Sequence, residues 1–253
     1  MRLLRAYFRL VIFFSFTAGH LTWAVINRFF FPHNKETWVY PMRRWAERLI
    51  RHLGYDVEVQ GQIPDRQGVL VLPNHRSYAD VVFFPPLFPV SFVGKAEVRK
   101  WPLIGYGAEA VGTAFVQRED KTSRRLTREA IRERILQGYT VAVFPEGTTT
   151  AAPGFTTVRL GMFELAAETG VPIYPVALEY RDPSHAWTGS DTFVPHFIRI
   201  YGQRRHEVRV RFGPPMQGND AEALHAAYVA WLTHNLADLQ RDWLHTPQPE
   251  RAG

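Results

Sequence analysis

Short apolar runs alternate with longer amphipathic stretches along most of this 253-residue chain, and this alternation limits the possible folds more than any other feature. Residues 68–72 and 141–144 are apolar runs with the length of buried strands. Between such runs lie segments with the 3.6-residue periodicity of helices. Strands that alternate with helices predict an α/β fold with a mixed, largely parallel central sheet flanked by helices.

The pattern also predicts the positions of the individual elements. Strands are expected at residues 55–60, 68–72, 91–94, 111–116, 141–144, 171–180 and 206–212. Helices are expected at residues 45–53, from Ser77 into the mid-80s, and at 123–137, 158–169 and 220–244. Three glycines are expected to end helices: Gly54, Gly138 and Gly170. Four residues of the helix at 123–137 are expected to face the core: Leu126, Ala130, Ile131 and Ile135.

The N-terminal part of the chain has a different character. Residues 10–26 are almost continuously apolar, and arginines precede and follow them. As a helix this stretch would be about 26 Å long, slightly shorter than a hydrocarbon core of about 30 Å. We interpret residues 1–40 as a membrane-associated segment that either spans the bilayer or lies in its interface. A cleaved signal peptide and a buried core helix are the alternatives, and basic residues on both sides leave the orientation open.

Composition narrows the classes of partner. The formal net charge of +6 and the pI near 9.7 favour acidic partners such as phosphates or anionic lipid surfaces. Aromatic residues make up 14% of the chain, many of them in the apolar N-terminal segment, which favours a membrane surface. No nucleic-acid-binding signature is present, so we expect no nucleic-acid partner. The chain has no cysteine, which excludes disulfides, thiolate metal sites and a cysteine nucleophile.

The strongest candidate for chemistry lies in residues 73–80, PNHRSYAD, which follow a buried strand and begin a helix. The carboxyl end of a parallel strand is where ligands bind. His75 can act there as a general base near neutral pH. Asp80 can reach back to fix the imidazole tautomer and stabilise the imidazolium. Alternatively, Ser77 and Asp80 form a capping box, which leaves His75 unexplained.

A second candidate is the turn after the strand at 141–144, which ends at Pro145. Glu146, Gly147 and Thr148 follow at the same predicted edge of the sheet. Such a turn offers N–H groups and hydroxyls to a phosphate and a carboxylate to a glycerol hydroxyl, although an ordinary turn would look the same.

A third candidate is Arg118, which follows the strand predicted at 111–116. A guanidinium at a strand exit can bind a phosphate through two parallel hydrogen bonds, whereas a solvated arginine is the simpler alternative.

Several other patterns carry less weight. Residues 105–110, GYGAEA, fit a dinucleotide fingerprint, but no strand precedes them, so we reject that function. The serine-hydrolase elbow and the zinc motif His-Glu-x-x-His are both missing. Most other histidines are expected at the surface, and His196 is the only one of them that we keep as a candidate functional residue. Five arginines of the helix at 123–137 form a solvated face or a contact for anionic head groups or donor phosphates: Arg124, Arg125, Arg128, Arg132 and Arg134.

Four motifs in fixed order give the chain a family resemblance. His-x4-Asp at 75–80, Gly-x5-Arg at 112–118, Phe-Pro-Glu-Gly-Thr at 144–148 and Val-Pro-Ile at 171–173 each lie at a predicted strand end. Over roughly residues 68–178 the chain resembles the glycerolipid acyltransferase family, specifically the bacterial 1-acyl-sn-glycerol-3-phosphate acyltransferases. One departure is Thr149, because many members have arginine directly after Glu-Gly-Thr.

The resemblance implies roles for individual residues. His75 would be the general base and Asp80 its orienting partner. The implied phosphate contacts are Arg118 and Lys95. The implied acceptor-site residues are Glu146, Gly147 and Thr148. The residues implied to lie near the acyl chain are Val171, Pro172 and Ile173.

The resemblance also implies an activity. Residues 41–253 would be an acyltransferase domain that moves a fatty acyl group from acyl-CoA or acyl carrier protein to the 2-hydroxyl of 1-acyl-glycerol-3-phosphate, forming phosphatidate. Backbone N–H groups at the start of the helix after His75 would stabilise the oxyanion. No metal or cofactor is expected. The protein would reside at a bacterial inner membrane with its active site on the cytoplasmic side.

Three alternatives remain open. Thr149 in place of arginine allows a different lysolipid acceptor, such as lyso-ornithine lipid. The scaffold could also serve as a non-catalytic membrane- or lipid-binding module, although His75 and Asp80 are both retained. Hydrolysis of acyl-CoA without an acceptor would indicate a thioesterase.

Overall fold

One seven-stranded sheet organises the computed structural model, which describes residues 1–31, 38–101, 104–110, 113–117 and 120–244. Its strands are β1 Tyr55–Gly61, β2 Leu70–Pro73, β3 Ser91–Lys95, β4 Ala114–Val116, β5 Val141–Ala142, β6 Ile173–Tyr180 and β7 His206–Phe212. Their spatial order is β1-β7-β6-β2-β5-β3-β4. Neighbouring strands pair in parallel except β6 and β7, which are antiparallel. The mixed, largely parallel sheet is therefore confirmed.

Helices cover both faces of this sheet. The α-helices are α1 Arg2–Phe30, α2 Val39–Leu53, α3 Ile104–Ala110, α4 Lys121–Leu136, α5 Gly161–Thr169, α6 Phe193–Tyr201 and α7 Ala221–Leu244. Short 3-10 helices lie at Tyr78–Phe83, Ala96–Lys100 and Pro183–His185. Side chains of α1, α2 and α6 pack on one face, and side chains of α4, α5 and α7 pack on the other.

Burial on both faces explains why the central strands read as continuous apolar runs. In β2, Val71 packs into one core cluster while Leu70 and Leu72 pack into the other. Every residue of β6 is buried. A strand covered by helices on both sides is apolar at most positions, and the buried Glu179 of β6 is paired with Arg76. Because β2 lies between β6 and β5, the residues that follow it emerge near the centre of the sheet.

Some predicted boundaries change. The helix expected from Ser77 is a 3-10 helix, Tyr78–Phe83, and α2 begins at Val39 rather than at residue 45. Gly54 ends α2 as predicted, with φ at 81°, and a Cβ there would lie 2.3 Å from the carbonyl oxygen of Arg204. Only glycine therefore fits this close approach. Residues 105–110 lie within α3, and a 3-10 helix rather than a strand precedes them.

The inward face of α4 differs from the prediction at one position. Leu126 is 57% exposed, so its expected place in the core is wrong. Thr127 is buried instead, in line with Ile131 and Ile135, and its hydroxyl donates to the carbonyl oxygen of Ser123 at 2.8 Å. This internal hydrogen bond lets a polar residue occupy the core face. Arg128 pairs with glutamates of α5 and is therefore not a purely solvated arginine.

The N-terminal helix α1 is longer than the apolar run that predicted it. Residues Arg2–Asn27 are long and apolar enough to cross a membrane, with a mean hydropathy of 1.5. One stripe of the helix is nevertheless docked on the rest of the chain. Arg9 donates to the carbonyl oxygens of Tyr201 and Arg204 at 3.1 and 3.0 Å, and the ring of Phe13 contacts Phe197. The opposite stripe exposes Leu3, Leu4, Tyr7, Phe8, Val11, Val25, Ile26, Phe29 and Phe30.

Candidate active site

The exit of β2 is held in place by Asn74. Its side-chain amide donates to the carbonyl oxygen of Leu178 at 2.9 Å, and its Oδ1 accepts the Leu178 N–H at 2.7 Å. These two bonds fasten the end of β2 to the neighbouring strand β6. The next residue, His75, therefore emerges from the sheet at a fixed position.

His75 and Asp80 meet as the sequence predicts. Nδ1 of His75 lies 2.8 Å from Oδ2 of Asp80, whose side chain is 0% exposed, while the histidine side chain is 14% exposed. The imidazole stacks on Phe144, with ring centroids 3.9 Å apart and an interplanar angle of 19°. An ionised carboxylate only accepts hydrogen bonds, so the neutral imidazole carries its proton on Nδ1. Nε2 is then the basic nitrogen, and His75 lines a large cavity.

Asp80 also caps the 3-10 helix, so the capping box and the contact with His75 are both present. Its Oδ2 accepts the backbone N–H groups of Arg76 and Ser77 at 2.7 and 3.0 Å, and the Ser77 hydroxyl accepts the N–H of Ala79. The capping box and the contact with His75 share one carboxylate. The bonds that cap the helix also fix the anion beside the imidazole.

Sequence reasoning missed a fourth donor to this carboxylate. The hydroxyl of Tyr180, the last residue of β6, donates to Oδ1 of Asp80 at 2.6 Å. Both side chains are buried. A tyrosine at the carboxyl end of a predicted strand was the one available signal, and it is weak without the strand order.

Glu146 lies behind His75 rather than in the cavity. Its buried carboxylate accepts the backbone N–H of His75 at 2.7 Å and that of Thr156 at 3.1 Å, together with the Thr150 hydroxyl. Among the described residues the cavity lining does not include Glu146 or Gly147. The structure thus gives Glu146 a bracing position and does not place it where the resemblance implies.

The rest of the turn does reach the cavity. Gly147 has φ at 69°, which turns the chain so that Thr148 and Thr149 line the cavity wall. The Thr149 hydroxyl donates to the carbonyl oxygen of Trp187. Thr149, the residue that departs from the family pattern, is therefore part of the wall of the cavity that His75 lines.

The three backbone N–H groups nearest to the imidazole do not support the expected oxyanion site, which stays a prediction. The N–H groups of Arg76 and Ser77 bind the Asp80 carboxylate, and that of His75 binds Glu146. These donors cannot stabilise a developing oxyanion as well.

Of the two residues implied to contact a phosphate, the structure describes Lys95 and not Arg118. Arg118 lies outside the described residues. Lys95 lines the cavity, is 49% exposed and pairs with Glu97 at 3.5 Å between Nζ and Oε1. Glu97 lines the cavity as well, so this edge carries both signs of charge.

The cavity beside His75 has a volume of about 560 Å³ and a mostly apolar lining. Helix α1 contributes Phe13, Thr17, His20, Leu21 and Ala24, and α2 contributes Pro41, Met42, Trp45 and Leu53. One wall is a closed ring of four aromatic side chains whose neighbouring centroids lie 4.9–6.0 Å apart: Tyr78, Trp187, Trp101 and Phe193. The space fits a hydrocarbon chain better than a charged group.

Val171, Pro172 and Ile173 are not part of this cavity. They lie at the amino end of β6, where Ile173 pairs with Leu70, the first residue of β2. His75 follows the other end of β2. Val171 and Ile173 are buried in the core between the sheet and α7. The geometry therefore does not support a place for them near the acyl chain.

Several histidines expected at the surface are buried: His20, His185 and His206. Burial lowers the pKa of His185 to about 4 and that of His206 to about 2. His196 is buried too, with Nδ1 3.1 Å from the Tyr78 hydroxyl, and burial lowers its pKa. Within the described residues, no group of three or more His, Asp or Glu side chains is arranged to hold a metal ion.

Comparisons with known proteins identify the family. The family model described as Acyltransferase matches residues 55–179. A lyso-ornithine lipid O-acyltransferase of Pseudomonas aeruginosa is 36% identical over 189 residues, which cover 72% of each chain. A 1-acyl-sn-glycerol-3-phosphate acyltransferase of Neisseria meningitidis is 30% identical over 173 residues, covering 65% of this chain and 67% of the relative.

A solved structure has the same fold. The 1-acyl-sn-glycerophosphate acyltransferase of Thermotoga maritima superposes with a TM-score of 0.70 at 19% identity, covering 98% of this chain and 100% of that one. This match shows the fold alone, whereas the family model and the relatives establish the family and the class of reaction. The chain belongs to the acyltransferase family and is an acyltransferase of the glycerolipid and lysolipid type.

Proposed function

We propose that this protein transfers a fatty acyl group from acyl-CoA or acyl carrier protein to a lysolipid hydroxyl, with His75 as the general base. The observation that carries the proposal is the 2.8 Å contact between His75 Nδ1 and the buried Asp80 at the wall of an apolar cavity. This contact leaves Nε2 basic and aligned to accept a proton.

The reaction needs no acyl-enzyme. Nε2 of His75 takes the hydroxyl proton while the oxygen attacks the thioester carbonyl carbon. The tetrahedral intermediate collapses, the C–S bond breaks, and the imidazolium returns its proton to the leaving thiolate. Asp80 stabilises the imidazolium that exists between these two steps.

The acyl chain is proposed to occupy the cavity between α1, α2 and the aromatic ring. Each methylene removed from water contributes about 0.8 kcal/mol, so a long chain in this space gains substantial binding energy. This assignment replaces the earlier expectation for Val171, Pro172 and Ile173.

Lyso-ornithine lipid is the better-supported acceptor. Thr149 stands where a cationic contact is expected for a phosphate, and the Lys95–Glu97 pair offers both signs of charge to a zwitterionic head group. The relative at 36% identity carries the name of that activity. The second candidate is 1-acyl-glycerol-3-phosphate, which the family motifs and the Neisseria relative support, with Arg118 and Lys95 as phosphate contacts.

The N-terminal segment, residues 1–40, is proposed to seat the protein on the cytoplasmic side of a bacterial inner membrane. Helix α1 docks on α2 and α6 and exposes an apolar stripe on its other side. A helix docked along its length suits an interfacial position, with the exposed stripe in the lipid and arginines such as Arg2 near head groups.

His75→Ala tests the chemistry. General-base catalysis is worth about 10²–10⁴-fold, so kcat should fall by at least about 10²-fold while the circular dichroism spectrum is unchanged. His225→Ala is the matched control, because that histidine binds a backbone carbonyl away from the cavity. Normal acyl transfer by folded His75→Ala protein would contradict the mechanism.

The acceptor is tested with the purified wild-type protein. Mass spectrometry of products from lyso-ornithine lipid and from 1-acyl-glycerol-3-phosphate, each at equal concentration, should show faster acylation of lyso-ornithine lipid. Faster formation of phosphatidate would favour the second candidate. Thiol release without any acceptor would indicate a thioesterase, and no turnover with any lipid would favour a lipid-binding module.

A further inference from the structure

Tyr180 holds the side of the Asp80 carboxylate that His75 does not use. Its hydroxyl donates to Oδ1 at 2.6 Å, while the imidazole Nδ1 lies 2.8 Å from Oδ2. The remaining donors to the carboxylate are backbone N–H groups of Arg76 and Ser77. Apart from His75, Tyr180 is the one described side chain that hydrogen-bonds this anion.

We propose that Tyr180 is a positioning residue that acts through Asp80 to set the proton affinity of His75. The inference rests on the proposed role of His75 as general base. Tyr180 neither lines the cavity nor hydrogen-bonds the imidazole, so its effect reaches His75 through the shared carboxylate.

The surroundings make this hydrogen bond influential. The titratable and charged groups that face Tyr180 and Asp80 are Tyr55, His75, Arg76, Glu179, His185 and Tyr201. Behind them, next to Tyr55, Tyr201 and His185, lie Arg9, Tyr78, Asp182 and His206. Burial raises the pKa of Tyr55 and Tyr201. His185 stacks on the Tyr180 ring, and burial lowers its pKa to about 4, so it is neutral at physiological pH.

The buried ion pair beside this carboxylate does not include Asp80. Arg76 and Glu179 pair at 2.7 Å, so they neutralise each other rather than Asp80. A hydrogen bond to an anion that is buried away from water is stronger than the same bond in water.

The direction of the effect follows from charge. The Tyr180 hydroxyl draws negative charge toward Oδ1 and weakens the attraction of Oδ2 for an imidazolium. Removal of the hydroxyl therefore strengthens that attraction and favours the protonated imidazole in the variant relative to the wild type. A protonated His75 cannot act as a base, so the acid limb of the pH–rate profile moves to higher pH.

Tyr180→Phe in the full-length protein tests the proposal through kcat/KM as a function of pH. The acid limb should move to higher pH by about one unit. At pH values below the acid limbs of both the variant and the wild type, kcat/KM should therefore be about tenfold lower in the variant, and above them the two values should be nearly equal. Tyr228→Phe is the matched control: it removes a buried hydroxyl that donates to the carbonyl oxygen of Leu72 and does not touch the carboxylate. Its profile should have the wild-type midpoint.

A second variant separates the proposed electrostatic effect from any effect of misfolding in Tyr180→Phe. Fluorotyrosine at position 180 keeps the ring and is a stronger hydrogen-bond donor, so its acid limb should move to lower pH. If both variants keep the wild-type midpoint, or if Phe lowers activity equally at every pH, Tyr180 is merely structural and the inference is wrong. The proposed function fails separately, through an active His75→Ala protein.

Discussion

Asp80→Asn isolates the charge of the carboxylate from its geometry. The amide oxygen can occupy the Oδ2 position and accept the N–H groups of His75, Arg76 and Ser77. The amide nitrogen then occupies the Oδ1 position and donates to the hydroxyl of Tyr180, which can accept as well as donate. The imidazole therefore keeps its orientation and its proton on Nδ1, and the main change beside it is the loss of the negative charge.

The size of the loss follows from the distance between the charges. Two unit charges about 4 Å apart attract by about 4 kcal/mol at an effective dielectric constant of about 20. A neutral hydrogen bond to the amide oxygen retains about 1 kcal/mol of this. The imidazolium formed during catalysis is thus destabilised by about 3 kcal/mol, and kcat should fall about 10²-fold.

The assay can follow the free thiol of CoA with a thiol-reactive chromogen. Because the protein contains no cysteine, the signal comes from the product alone. Thermal unfolding of the same preparation shows whether the variant is folded. A folded Asp80→Asn protein with kcat within about threefold of wild type would refute the claim that the anion stabilises an imidazolium.

Two further predictions concern the brace behind His75 and the cavity. Glu146→Gln leaves the backbone N–H of either His75 or Thr156 without an acceptor. The free energy of unfolding in urea should therefore fall by about 1–3 kcal/mol, and kcat should fall because His75 shifts. An unchanged free energy of unfolding together with an unchanged kcat would exclude a bracing role for Glu146. Ala24→Trp fills part of the cavity. Because each lost methylene contact costs about 0.8 kcal/mol, kcat/KM should fall about tenfold for long-chain acyl-CoA and stay near the wild-type value for short-chain acyl-CoA. An equal loss of kcat/KM for the two donors would place the acyl chain outside this cavity.

The parts of the structure that depend on neighbours in sequence were predictable. The central strands are buried on both faces and show as apolar runs, and His75 and Asp80 lie five residues apart on one turn. A histidine two residues after such a strand must lie at the carboxyl edge of the sheet. The fold class and the dyad therefore follow from local patterns.

The parts that depend on distant segments were not predictable. Tyr180 reaches Asp80 across 100 residues, and this contact requires that β6 lie beside β2. The Val-Pro-Ile motif marks a strand end, but the sequence does not say which end until the strand is placed. Glu146 faces inward because its turn folds over the N–H of His75, a contact that spans 71 residues.

Helix α1 connects the proposed membrane position to the chemistry. Its inner stripe supplies Phe13, Leu21 and Ala24 to the cavity wall, and its outer stripe exposes apolar residues on the opposite side. A lipid acyl chain would therefore have apolar surroundings on both sides of one helix, from the bilayer to the neighbourhood of His75. Arg9 fixes this helix to the chain after α6 through backbone carbonyls, which side-chain substitutions there cannot remove. The cavity is thus complete only when α1 is docked, so the segment that we propose to seat the protein on lipid also forms part of the cavity that we propose as the acyl-chain site.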